Sequence, residues 1–272
     1  MGTPMARRIA RAGHSLTVWN RALARTQALV AEPAISAAAT PAEAAAQADV
    51  VITMLADPVA VLSVAEQALA AMAPGTLLLE MSTVDPATIH SLAARAAQRG
   101  IELVDAPVSG SRRPAEEGTL LILAAGERAG VERVRPLLET MGEVHYVGPS
   151  GSGAAMKLVL NGLGAHMLTG FTSMLVLGKR LGLAPERILE VVQSGAFSSP
   201  QFTTKGSKIL ARDFSPDFRM ALFLKDQELV LKTAESLGMP LPVLESIRVQ
   251  IAAAVTAGWG ELDLSALIQQ FE

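Results

Sequence analysis

Gly151-Ser152-Gly153-Ala154-Ala155-Met156-Lys157-Leu158-Val159-Leu160-Asn161 is the stretch at which this sequence changes character. Two glycines open an Ala/Leu/Val/Met-rich run that stays apolar to about Leu181, long enough for a core helix. Lys157 and Asn161 are spaced by just over one helical turn, so both side chains leave the same face. A cation on the first turns of a buried helix is costly unless it faces a cleft or a partner. A lone Lys at a helix start ordinarily snorkels to water. The Asn one turn on and the glycines just before argue instead for a cleft, where a buried Lys can hold a carbonyl oxygen and pass it a proton. Beyond Gly151 no strand pattern returns, whereas before it short apolar strands alternate with helices. The expected organisation is therefore an α/β domain over 1–150 and an all-helical domain over 151–272.

The bulk numbers bound the reading. With 272 residues the chain suits one large or two ordinary domains. Half of it is hydrophobic, yet no uninterrupted apolar run reaches the roughly 18 residues of a membrane span. Gly162, Gly164, His166, Thr169, Gly170, Thr172 and Ser173 break the nearest one. Lys and Arg total 23 against 26 Asp and Glu, so no electrostatic case exists for nucleic acid. The absence of cysteine excludes disulfides and thiolate metal sites and fits a cytoplasmic compartment. The four histidines (His14, His90, His145, His166) show no metal-ligand spacing. Arg7, Arg8 and Arg11 interrupt the N-terminus, which lacks a secretory pattern.

In chain order, Met1 to His14 reads as a helix, with Pro4 in its first turn and Gly13 at its stop. Ser15–Trp19 alternates like a strand. An Ala-rich helix over about 41–47 leads to the apolar strand Asp49–Leu55, and further strands follow at 76–80, 101–105, 120–125 and 143–147. The continuous apolarity of Asp49–Leu55 fits a parallel strand buried on both faces. Asp85 before Pro86 is a ready N-cap for the next helix. Ser109-Gly110-Ser111, just past a strand end, is a turn suited to holding a carboxylate through hydroxyl and N–H donors. The second half reads as helices over about 153–181, 184–194, 203–210, 219–238, 241–257 and 264–271, with a loop over 196–202.

The pattern Gly-x-Gly-x-x-x-Lys-x-x-x-Asn resembles the catalytic helix of the β-hydroxyacid dehydrogenase family. That family includes 3-hydroxyisobutyrate dehydrogenases, tartronate semialdehyde reductases and glyoxylate/succinic semialdehyde reductases. Asp105-Ala106-Pro107-Val108-Ser109-Gly110 is similar to the family's acid-binding segment. Its continuation Ser111-Arg112-Arg113-Pro114-Ala115-Glu116, and the tail Gly260–Leu267, resemble the glyoxylate/succinic semialdehyde subclass. The resemblance implies a Rossmann-type doubly wound N-terminal domain followed by an all-α domain for substrate and dimerisation. Only Met1-Gly2 matches the end of the family's Gly-Leu-Gly-x-Met-Gly turn, so the first strand and two of three glycines are lacking. A start placed too late, or a shortened chain, is the expectation that accounts for this.

The resemblance also implies roles. Lys157 would be the proton donor, with Asn161 holding it or the substrate. Ser109, Gly110, Ser111, Phe218 and Asp226 would contact a small carboxylate-bearing aldehyde or hydroxy acid. Gly2, Asn20, Arg21, Met54, Leu55, Thr83 and Lys225 would contact the cofactor. Asn20-Arg21, with no carboxylate at that point and Arg25 nearby, suits a ribose 2′-phosphate and favours NADP over NAD. Without the resemblance, Lys225-Asp226 reads as a solvated helix face and Ser109–Ser111 as an ordinary turn. The expected activity is NADPH-dependent reduction of a small aldehyde acid, or the reverse oxidation, without metal, nucleic acid or membrane. Two other readings compete: imine reduction on the same scaffold, whose members usually lack the Lys, and a non-catalytic dinucleotide-fold module. The apolar helix after Lys157 suggests a homodimer or homotetramer.

Overall fold

In the computed structural model, which describes residues 1–272, the run Leu77-Leu78-Leu79-Glu80 is a strand buried at every position. Leu77 and Leu79 face one way, onto Met5, Ile9, Val131, Val134 and Leu138. Leu78 faces the other way, onto Val61, Leu69, Ile89 and Leu92. A strand packed on both faces needs helices above and below, which is why its pattern is continuous rather than alternating.

The chain divides into two compact units, Met1–Leu158 and Val159–Glu272. The first runs α1 (Gly2–Arg11), β1 (Leu16–Val18), α2 (Leu23–Gln27), β2 (Ile35–Ala37), α3 (Pro41–Ala45) and β3 (Val50–Thr53). It continues with α4 (Pro58–Leu69), β4 (Leu77–Glu80), α5 (Pro86–Ala97), β5 (Glu102–Asp105), β6 (Val108–Ser109) and α6 (Arg112–Glu117). It closes with β7 (Leu120–Ala125), α7 (Arg128–Glu139), β8 (Gly142–Gly148) and the start of α8 (Ser152–Arg180). β3, β4 and β5 are parallel neighbours. β7 runs antiparallel to β5 and β6 and parallel to β8, making six strands. β1 and β2 form a separate parallel pair. In a doubly wound sheet of order 3-2-1-4, the counterparts of β1 and β3 flank one common strand. Here each ends its own sheet with one edge open.

The Rossmann-type expectation therefore holds, with differences of detail. Ile35–Ala37 carried no strand signal, because three residues gain their order only by pairing with Leu16–Val18. Ser109, read as the start of a turn, is paired with Leu121, and Val108 before it with Ile122. The first compact unit extends into α8, and Ala154 belongs to its core.

The second unit adds α9 (Pro185–Ser194), α10 (Pro200–Leu210), α11 (Met220–Ser236) and α12 (Pro242–Ala254). α10 begins before the expected residue 203, inside the stretch read as a loop. Ser199 caps it by accepting the Gln201 N–H at 3.2 Å, and Pro200 suits its first turn. α12 ends in a π-helical turn, Val255–Trp259, where Gly258 adopts φ +90°. The last helix is 3₁₀, Leu264–Gln270. Ala165 and Leu168 of α8 pack with Met220, Phe223, Leu244, Ile247 and Ile251. Phe171 stacks on Phe202 at 4.6 Å beside Leu175, Val176 and Ile209. α8 is long and apolar enough to cross a membrane by composition alone. Its buried face is spent on these cores.

Candidate active site

Thr53, Glu80 and Asp105 are register partners across β3, β4 and β5, and each is the last residue of its strand. In open α/β sheets ligands bind beyond these carboxyl ends. Glu80 has no exposed surface. The Thr53 hydroxyl donates to its Oε2, and the Ser82 N–H donates to its Oε1 at 2.6 Å. The Leu55 N–H in turn donates to Ser82 Oγ at 2.8 Å. One buried carboxyl thus ties together the two segments that carry Met54, Leu55 and Thr83. Burial pushes Glu80 up to about 7, against the hydrogen bonds from Ser82 and Thr53, and the Asp105 charge adds to the rise. Asp85 caps α5 through the Thr88 N–H at 2.9 Å, so Thr83 is not needed as its cap.

Asp105 accepts the Gly151 and Ala154 N–H groups, each at 3.0 Å, and so caps α8 from a distant strand. The glycine spacing that opens the helix follows from this contact. Gly151 sits at φ +89°, and a Cβ on Gly153 would come within 2.6 Å of the Leu123 carbonyl and 2.7 Å of Asp105 Oδ2. Burial raises the Asp105 pKa, against the N–H donors of Gly151 and Ala154. Lys157 follows on α8 and is half-buried. From β5 the chain passes through β6 to Ser109, which pairs with Leu121, and to Gly110 at φ +116°. Arg112 and Arg113 bond Glu116 and Glu117 at 2.8 and 2.7 Å on an exposed helix face. Pairs of that kind contribute little.

Elsewhere in the first unit, Gly2 opens α1. Asn20 Oδ1 accepts the Ala22 N–H at 2.9 Å, closing a small turn beside exposed Arg21 just past β1. Helix N-termini and residues past strand ends are suited to phosphates, which is the fit a dinucleotide requires.

In the second unit Asp226 is the centre of a polar group. Asn161 Nδ2 donates to its Oδ2 and Lys225 Nζ pairs with its Oδ1, both at 2.7 Å. Gln227 Nε2 reaches the Asn161 carbonyl at 3.4 Å. Lys225-Asp226 is therefore no freely solvated face: Asp226 is 3% exposed. Phe218 meets Phe223 edge-on at 5.9 Å. Its N–H donates to Asp263 Oδ2, and Lys205 Nζ lies 3.0 Å from both Asp263 oxygens. Burial disfavours the Asp263 charge, but Lys205 and the Ser265 and Phe218 N–H groups outweigh it and hold its pKa below the ordinary value.

Glu80, Asp105, Gln227 and the Lys205–Asp263 pair are the polar residues that sequence reasoning left unassigned. A signal existed for two of them. An acid closing a run of three leucines, and an acid closing Ile-Glu-Leu-Val, sit where buried strands end.

Two family models match the chain. Residues 1–148 fit the NAD-binding domain of 6-phosphogluconate dehydrogenase. Residues 151–271 fit the NAD-binding region of NADP-dependent 3-hydroxyisobutyrate dehydrogenase. The chain belongs to the β-hydroxyacid dehydrogenase family. Glyoxylate/succinic semialdehyde reductase 1 of Arabidopsis thaliana is 34% identical, over 99% of this chain and 94% of that protein. 2-Hydroxy-3-oxopropionate reductase of Escherichia coli is 32% identical, over 100% and 94%. The structure of Mycobacterium tuberculosis 3-hydroxyisobutyrate dehydrogenase with L-serine superposes with a TM-score of 0.92 at 28% identity, covering 100% and 96%. β-Hydroxyacid dehydrogenases are NAD(P)-dependent oxidoreductases acting on CH–OH groups, and this chain is one of them.

Proposed function

We propose that this enzyme reduces small aldehyde acids, such as succinic semialdehyde, glyoxylate or tartronate semialdehyde, with NADPH, and catalyses the reverse oxidation of the hydroxy acids. When bound, the nicotinamide supplies or accepts the hydride. The observation that carries the reading is the Asp105 contact. It locks the helix bearing Lys157 to the strand that leads into Ser109-Gly110-Ser111.

In this reading the Ser109 and Ser111 hydroxyls and the N–H groups at Gly110 hold the substrate carboxylate. The Lys157 ammonium polarises the aldehyde oxygen and gives it a proton. Asn161, fixed by Asp226, orients the Lys157 end of the helix, and Phe218 bounds the substrate. Gly2, Met54, Leu55, Thr83 and Lys225 contact the dinucleotide. Asn20 and Arg21 take the 2′-phosphate, which supports NADP over NAD. Residues 1–150 thus serve mainly the cofactor and 151–272 the substrate and subunit contacts.

An exposed apolar row along α8, Val159, Leu163, Met174 and Leu177 at 48–63% exposure, supports a homodimer or homotetramer. The cysteine-free composition fits a cytoplasmic setting.

The test is NADPH oxidation with succinic semialdehyde and glyoxylate. Lys157→Ala is expected to abolish turnover while NADPH binding, read by fluorescence, stays intact. Substantial turnover in that variant would reject Lys157 as the proton donor.

A further inference from the structure

A helix cap normally comes from the residue just before the helix. The carboxylate that caps α8 comes from Asp105, 46 residues ahead of Gly151, so the contact fixes a strand to a helix. Chain on both sides of it is held. Ala106 N–H donates to the Glu80 carbonyl at 2.7 Å, and Leu123 N–H donates to the Pro107 carbonyl at 3.0 Å. Val108 is paired with Ile122. On the helix side Ala154 and Leu158 are 1% and 4% exposed. No side chain intervenes at Gly153, where even a Cβ would strike Asp105 Oδ2 and the Leu123 carbonyl. The path from the Ser109–Ser111 turn to Lys157 is therefore two short rigid segments joined at one buried carboxylate.

We propose that Asp105 is a positioning residue that sets the spacing between the Ser109–Ser111 turn and the Lys157 ammonium, and so selects the length of the aldehyde acid. This rests on the proposed assignment of the turn to the carboxylate and of Lys157 to the proton. In glyoxylate the carboxylate is bonded directly to the aldehyde carbon; in succinic semialdehyde two methylenes lie between. A gauge between the two binding elements discriminates these acids. A part that merely stabilises the fold affects both alike.

Asp105→Asn keeps the size but can no longer accept both N–H groups, since its amide nitrogen faces one of them. Gly153→Ala keeps the Asp105 acid but puts a Cβ against its Oδ2 and the Leu123 carbonyl, which forces the helix outward by several tenths of an ångström. The measurement is kcat/KM for each acid in wild type, both variants and Lys157→Ala, with KM for NADPH alongside. The expected result is a change of about tenfold in the ratio of the two kcat/KM values in both variants, in the same direction, with KM for NADPH within about twofold. Gly153→Ala carries the test if Asp105→Asn does not fold. An unchanged ratio, with both acids losing activity in proportion, overturns the gauge role while an inactive Lys157→Ala leaves the site assignment standing. Wild type inactive on both acids, or an active Lys157→Ala, overturns the assignment and this inference with it.

Discussion

Glu80→Gln tests the buried carboxyl that ties together the segments carrying Met54, Leu55 and Thr83. Glutamine keeps the shape, accepts the Ser82 N–H and can donate to the Thr53 hydroxyl, but it does not ionise. In the unfolded chain Glu80 ionises near 4.5, whereas burial holds it near 7 in the fold. Its contribution to stability is therefore complete below about pH 4.5. It is lost progressively as pH rises toward 7, because the unfolded chain releases the proton first. The full loss is about 3 kcal/mol at 1.36 kcal/mol per pH unit. Asp105 shifts in the same direction and is present in both proteins, so the difference between them reads Glu80 together with its coupling to Asp105.

The assay is urea unfolding between pH 5 and 8.5, followed by the fluorescence of Trp19 in a Trp259→Phe background, so that the signal reports the first unit. With a slope of about 2 kcal/mol/M, and part of the loss already past at pH 5, the variant's midpoint is expected to gain roughly 1.3 M on the parent's across that range. Midpoints that stay parallel from pH 5 to 8.5 would refute the reasoning: Glu80 would then ionise in the fold as it does in water.

Arg21→Ala is expected to raise KM for NADPH about tenfold and to leave KM for NADH within about twofold. An equal change for both cofactors would remove Arg21 from the 2′-phosphate site. Leu163→Glu, at a position 55% exposed on α8, is expected to convert the proposed homodimer or homotetramer to a smaller species in size-exclusion chromatography. An unchanged elution volume would place the subunit contact elsewhere.

Much of the candidate site was legible because its residues sit in short motifs. Gly151 to Asn161 carries its own helical spacing, and Asp105 to Ser111 carries a strand end and a turn. What escaped were partners far apart in sequence. Nothing near Lys225 or Asp226 announces that Asn161 supplies a hydrogen bond across 65 positions. Bare composition even suggested a solvated face there. Lys205 and Asp263 likewise look like two scattered surface charges until folding buries both.

The sequence by itself determined most of the helices and strands, the change from α/β to all-α near residue 151, and the helical spacing that puts Lys157 and Asn161 on one face. Periodicity and backbone preference are local properties, and a short window carries them. The tertiary structure alone decided that β1 and β2 stand apart from the main sheet, and that burial pushes the Glu80 pKa up to about 7. It also decided that Asp105, rather than a neighbour, caps the helix of Lys157. Strand pairing, burial and capping across 46 residues depend on which distant atoms meet, and only the folded chain brings them within hydrogen-bond reach.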